Sequence, residues 1–201
     1  MSLYWDGLVA SDGVQALING TGHPAVIGDS ITYYMTPHWT GLGPCNGPYA
    51  NLGFPGAMLE DMCDYAVPML AKVKPSAAII LIGINNALDA QNSRPNPFIN
   101  GLGVIIPALR VWTNKIALAT ILPMEKGIPG IADAASIQPF VINLNGIIRQ
   151  AATVEGVCLL ETNAAFAGPD GFALPGNTVD SVHPSAAGFA ALKPLYDGFL
   201  S

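Results

Sequence analysis

Ser30 stands just past the apolar run Pro24 to Gly28, in the order Gly28-Asp29-Ser30. A serine that follows a strand and opens a helix carries its hydroxyl at the carboxyl edge of a sheet. There the first N–H groups of the helix can stabilise an oxyanion. Asp and Ser at that place also read as an ordinary helix N-cap, and Thr32 excludes the G-x-S-x-G nucleophile elbow. Far along the chain, Asp180-Ser181-Val182-His183-Pro184 sets a carboxylate three residues before an imidazole. A carboxylate bonded to a His ring fixes its tautomer and stabilises the imidazolium, as a general base requires. His23 and His38 have no such partner nearby and read as ordinary. Asn51-Leu52-Gly53-Phe54-Pro55-Gly56 suits a tight turn that leaves an N–H pointing outward, and Gly83-Ile84-Asn85-Asn86 ends an apolar run with a side-chain amide donor. Taken singly, each segment reads as a cap or a turn. Together they supply a hydroxyl, a base, an orienting carboxylate and oxyanion donors, the parts of an acyl-transfer site.

Such residues need a scaffold that brings distant segments together. Runs over 24–28, 49–52, 77–84, 115–122 and 156–161 have strand length, and the continuous apolar run 77–84 suits a strand buried on both faces. Helix-length segments over 57–74, 97–113, 136–154 and 184–200 alternate with them. Pro68, Pro107, Pro139 and Pro194 fall inside these segments and predict kinks or late starts. The alternation predicts an α/β fold: three layers, α/β/α, flavodoxin-like, with a mostly parallel sheet of about five strands. Gly and Pro cluster over 41–48, 91–97, 127–130 and 168–176, which marks loops. No linker divides the chain, so residues 1–201 read as one domain. Ligands of such sheets bind beyond the carboxyl ends of the strands, which is where the candidate residues fall.

Composition narrows the function. Of 201 residues, 51% are apolar and 11% charged, with net charge −6, which suits a globular chain with a sizeable core. The eight Lys and Arg are scattered, which argues against a nucleic-acid partner. The longest apolar run is far below the roughly 18 residues of a membrane span. Cys45, Cys63 and Cys158 lack metal-ligand spacing, so no metal is expected. Gly28 to Tyr34 holds one Gly and no Lys, which disfavours a phosphate loop and hence a nucleotide or flavin binder; no cofactor is expected. The cysteines read equally as three buried thiols or, in an exported protein, as a Cys45–Cys63 pair with Cys158 free. No signal-peptide pattern opens the chain, although Met1-Ser2-Leu3 could replace one. An exported and a cytoplasmic location therefore both stay open, as does the oligomeric state. Asn19-Gly20-Thr21 is a lone glycosylation sequon.

Gly28-Asp29-Ser30-Ile31, Asn51 to Gly56, Gly83-Ile84-Asn85-Asn86 and Asp180 to Pro184 follow one another over residues 28–184. In this order and separation they resemble the blocks of the SGNH (GDSL-type) hydrolase family. The resemblance implies an esterase with Ser30 as nucleophile, His183 as base and Asp180 as its orienter. It implies an oxyanion hole made of the Ser30 N–H, the Gly56 N–H and the Asn85 side chain, with Gly53 the weaker choice of glycine. Ile31 stands where the namesake motif has Leu. Asn86 stands where the family has Asp, and that change is expected to alter supporting hydrogen bonds or substrate preference.

The resemblance implies carboxylic ester substrates, among them short-chain esters, lipids and acetylated sugars. Ile31, Tyr33, Tyr34, Phe54 and Met58 would suit an acyl chain or belong to the core. Short acyl groups on a small alcohol or a carbohydrate are the expected substrates. Because a neutral imidazole is required, activity should fall below pH ~6–7. The same residues would serve acyl transfer to an alcohol, and a catalytically silent module that binds acylated glycans would keep the same fold.

Overall fold

The computed structural model describes residues 22–89, 95–130 and 132–201. Met1-Ser2-Leu3, the Asn19-Gly20-Thr21 sequon and residues 91–94 of the expected 91–97 loop lie outside the described residues. Five short apolar runs form the strands β1 (Ala25–Gly28), β2 (Ala50–Gly53), β3 (Ala78–Leu81), β4 (Ile116–Ala119) and β5 (Cys158–Leu160). They make one parallel sheet in the order β2-β1-β3-β4-β5, the flavodoxin-like order. The three inner strands β1, β3 and β4 are buried along their whole length, so every one of their residues is apolar or glycine. The run over 77–84 stops as a strand at Leu81, because Gly83 turns with a φ of 126° and Ile84 already opens a helix.

Among the described residues seven helices connect or flank the strands: α1 (Ser30–Tyr33), α2 (Leu59–Val73), α3 (Ile84–Leu88), α4 (Pro95–Arg110), α5 (Ala134–Glu155), α6 (Thr162–Phe166) and α7 (Ala186–Leu200). With right-handed connections, α2, α4 and α5 cover one face of the sheet, and α1 and α7 the other. Arg110, at the end of α4, bonds Glu155 at the end of α5 at 2.7 Å. On the opposite face the segment after α1 packs on α7, with the Trp39 ring 4.9 Å from Tyr196 and 6.0 Å from Phe189.

The four internal prolines neither start nor end a helix. Pro68, Pro107, Pro139 and Pro194 are all exposed. A proline on the solvent side frees a carbonyl that water can bond, so the helix can continue through it. The cysteines also differ from expectation. All three are unpaired; Cys45 and Cys158 are exposed and Cys63 is partly buried. Cys158 lies on β5, at the sheet edge, where one side chain of a short strand is left to solvent.

Candidate active site

The sheet register sets the site. Gly28 at the end of β1 pairs with Gly53 of β2 on one side and Leu81 of β3 on the other. The loops carrying Ser30, Gly56 and Asn85 therefore leave the sheet at one level of its carboxyl edge. Glycine is required at position 28, because a Cβ there would lie 2.1 Å from the Leu81 carbonyl oxygen. Asp29 caps α1, its Oδ1 accepting the Ile31 N–H at 2.9 Å. That cap presents Ser30 at the first position of the helix.

His183 meets Ser30 from the other end of the chain. Its Nε2 is 2.8 Å from Ser30 Oγ, and its Nδ1 is 2.7 Å from Asp180 Oδ2. The other carboxylate oxygen of Asp180 accepts the N–H groups of Val182 at 3.1 Å and His183 at 2.8 Å. One Asp thus holds both the turn and the ring. Partial burial opposes its charge, but the His183 N–H, the His183 ring and the Val182 N–H outweigh that and hold its carboxyl below the usual range. Ser181, between them, adopts a left-handed φ of 72° and is buried, which keeps the turn tight. The structure therefore brings Ser30, His183 and Asp180 into one hydrogen-bonded chain.

Gly56 and Asn85 share this edge. Gly56 takes a φ of 78° in the turn after β2 and is exposed. Among the described residues no hydrogen bond engages its N–H or that of Ser30. Asn85 lies in the first turn of the short helix after β3 and donates one amide N–H to the Ala57 carbonyl at 2.8 Å. That bond fixes the amide against the Gly56 turn and leaves its second N–H for a substrate oxygen. Gly53 is the last residue of β2, inside the sheet. Asn86 turns away from the edge: it is buried, accepts the Leu59 N–H at 3.1 Å and donates to Glu60 at 2.9 Å. An Asp there could accept from Leu59 but would set a second carboxylate against Glu60. Asn86 and Glu60 are a matched pair.

The environment is uneven. Asp29 is fully buried, and burial pushes its carboxyl up to about 7, against the pull of the Ile31 N–H and of His183. Of the apolar residues expected around the cleft, Ile31 and Phe54 belong to the core; Phe54 stacks on Tyr65. Met58 is partly buried and caps α2. Tyr33 and Tyr34 are exposed, and the Tyr34 ring lies edge-on to His183 with centroids 5.4 Å apart. His38 stacks on Phe189, as an ordinary packing residue does. Among the described residues no group of His, Cys, Asp and Glu could hold a metal ion, and no helix is long and apolar enough to cross a membrane.

Sequence reasoning passed over two acidic side chains that serve this edge, Glu60 and Glu125. For Glu125 a signal existed in the sequence: it directly follows the stretch 116–124, which holds no charged residue.

The model of the GDSL-like Lipase/Acylhydrolase family matches residues 26–191. The chain belongs to this family. It is thus an ester-hydrolysing enzyme of the GDSL type. No curated protein matches the sequence. Among solved structures, a GDSL-like lipase from Bacteroides thetaiotaomicron superposes with a TM-score of 0.78 at 17% identity, covering 96% of each chain. An acetylxylan esterase from Geobacillus stearothermophilus superposes with a TM-score of 0.65 at 20% identity, covering 90% of this chain and 95% of that one. At these identities the likeness is one of fold, and it agrees with the parallel sheet and its flanking helices.

Proposed function

We propose that the enzyme hydrolyses esters of short acyl groups through an acyl-enzyme on Ser30. The observation that carries this reading is the chain Ser30 Oγ–His183 Nε2 at 2.8 Å and His183 Nδ1–Asp180 Oδ2 at 2.7 Å. Ser30 Oγ attacks the ester carbonyl as its proton passes to His183 Nε2, and Asp180 stabilises the imidazolium. The tetrahedral oxygen accepts from the Ser30 N–H, the Gly56 N–H and the free N–H of Asn85. His183 then protonates the leaving alcohol, and water, deprotonated by the same ring, releases the acid.

The proton route also assigns the two sides of the substrate. The alcohol leaves on the imidazole side, where the exposed Tyr34 ring stands edge-on to His183. The carbonyl oxygen points towards Gly56 and Asn85, and the acyl group takes the side left over, away from the imidazole. Because Ile31 and Phe54 are spent in the core, they provide no apolar channel there for a long chain. A short acyl group, such as acetyl on a small alcohol or a carbohydrate, suits this arrangement. We read residues 22–89, 95–130 and 132–201 as parts of one catalytic domain.

A series of p-nitrophenyl esters of increasing chain length, with acetylated xylan alongside and Ser30→Ala as control, tests the reading. Turnover is expected to be highest for acetyl and to vanish in Ser30→Ala. Preference for long chains would overturn the acyl assignment. Absence of turnover together with no labelling by a serine-directed phosphonate would leave a binding module in place of an active enzyme.

A further inference from the structure

Asp180 and His183 lie in the long connection between α6 and α7, which has isolated bridges but no strand or helix of its own. Something outside that connection must fix where it stands relative to Ser30. Two local contacts within it, Ser185 N–H to the Asn177 carbonyl at 2.8 Å and Val179 N–H to the His183 carbonyl at 2.9 Å, shape the loop without tying it to the sheet.

The tie comes from the segment that continues β4. Residues 120–125 are all buried. Ile121 is held on both sides by Asn145, its N–H donating at 2.6 Å and its carbonyl accepting at 3.0 Å. Its carbonyl also accepts from Asn163 at 2.7 Å. This rigid segment ends at Glu125, which is 4% exposed. Glu125 Oε1 accepts the Gly176 N–H at 2.9 Å; Oε2 accepts the Thr178 N–H at 2.9 Å and the Thr178 hydroxyl at 2.8 Å. The Glu125 N–H donates to the Ser181 carbonyl at 3.0 Å, and the neighbouring Met124 carbonyl accepts from Ala173 at 2.9 Å. One residue therefore grips the loop before Asp180 with its carboxylate and after it with its N–H.

A buried carboxylate is costly unless each oxygen is satisfied. Here both oxygens are, and only a carboxylate can accept on both sides at once. Burial pushes the Glu125 carboxyl up, but the Gly176 N–H and the two Thr178 donors together bring it below its usual value. The Glu125 carboxylate bonds Gly176 and Thr178 and neither Ser30 nor the His183 ring, so its hydrogen bonds reach the reaction through the loop.

We propose that Glu125 is a positioning residue: it clasps the 173–181 loop to the buried segment that follows β4 and so keeps Asp180 and His183 in register with Ser30. The proposal rests on the Ser30–His183–Asp180 reading above. Glu125→Gln tests it, because the amide nitrogen must face either the Gly176 N–H or the Thr178 donors, and that half of the clasp opens. Displacements of about 1 Å can cost on the order of 10²-fold in rate. The expected result is a fall in kcat of about 10- to 100-fold for p-nitrophenyl acetate, with KM changed less than about two-fold. A purely structural loss would lower the folded fraction; kcat per folded molecule, counted by circular dichroism, would not move.

Thr178→Val removes one donor and leaves the carboxylate paired with two backbone N–H groups. It is expected to fold and to lose about three-fold or more in kcat, again with KM held. It decides the matter should Glu125→Gln not fold: unchanged kcat in Thr178→Val overturns the clasp. Glu125→Gln within about two-fold of wild type in kcat per folded molecule overturns it too. If Ser30→Ala, assayed alongside, turns over like wild type, the triad reading itself fails; if Ser30→Ala is dead and the clasp variants are fast, only the clasp fails.

Discussion

Asp29 offers the sharpest thermodynamic test, because the protein keeps a carboxyl fully buried beside its candidate nucleophile. Asp29→Asn preserves the cap, since an Asn side-chain oxygen accepts the Ile31 N–H as well as an Asp does, and it removes the charge. Burial pushes the Asp29 carboxyl from 3.8 up to about 7 in the folded protein. Below 3.8 the group is protonated folded or unfolded and contributes nothing to the pH dependence. Between the two values the unfolded chain has released its proton and the folded one has kept it. The unfolding free energy of the wild type therefore falls as pH rises, by ~1.4 kcal/mol per pH unit from this group. Above about 7 the loss levels off, on the order of 4 kcal/mol in all for a shift of roughly three units. Asp29→Asn lacks this loss. The stability difference, variant minus wild type, should rise from pH 4 to pH 8 by that order and then flatten. Urea unfolding at closely spaced pH values, followed by circular dichroism, measures it. The buried amide adds an offset that does not vary with pH, so the slope alone is diagnostic. His183 and Tyr196 are the titratable groups that feel Asp29, and a repeat in a His183→Gln background removes the nearby imidazole from the comparison. A flat difference curve, or one that falls with pH, refutes the argument. The ionised Asp29 favours the imidazolium that forms in the reaction, so the stabilised variant should also turn over more slowly at pH 8. A site that spends stability in this way is ordinary for enzymes.

Asn85→Ala should lower kcat by ~10²–10³ and leave KM comparatively unchanged, because one oxyanion donor is lost only in the transition state; steady-state kinetics with equal kcat would remove Asn85 from the mechanism. Asn86→Asp should destabilise the protein by ~1–3 kcal/mol, as a carboxylate replaces the amide that donates to Glu60 at 2.9 Å. Most of that loss should vanish in a Glu60→Gln background, and an additive double-mutant cycle would break the pairing. Tyr34→Ala should raise KM for an aryl acetate by ~3- to 10-fold with kcat nearly constant, as expected for loss of a ring contact on the alcohol side; an equal rise for ethyl acetate would place Tyr34 elsewhere than against the alcohol.

What could be read from the chain was what is written locally. The inner strands announce themselves because burial on both faces forces unbroken apolar runs, as in Ile79-Ile80-Leu81. Asp180 and His183 are legible as a pair because one turn closes between them, with a single carboxylate taking the N–H groups two and three residues on. The side-chain environment is another matter. Whether Ile31 and Phe54 face the cleft or the core depends on which side of α1 and of the β2 turn meets the sheet, and no periodicity survives in a helix of four residues. The prolines looked disruptive because sequence shows their type and not that each faces solvent. Glu60 reaches Asn86 across 26 residues and Glu125 reaches Thr178 across 53, so neither partner was visible. Yet an acidic residue placed among ten consecutive buried positions, as Glu125 is over 116–125, must find donors or unfold its surroundings. In a chain with only 11% charged residues, Glu125 at the end of an apolar run marks the place where a distant segment comes back beside it.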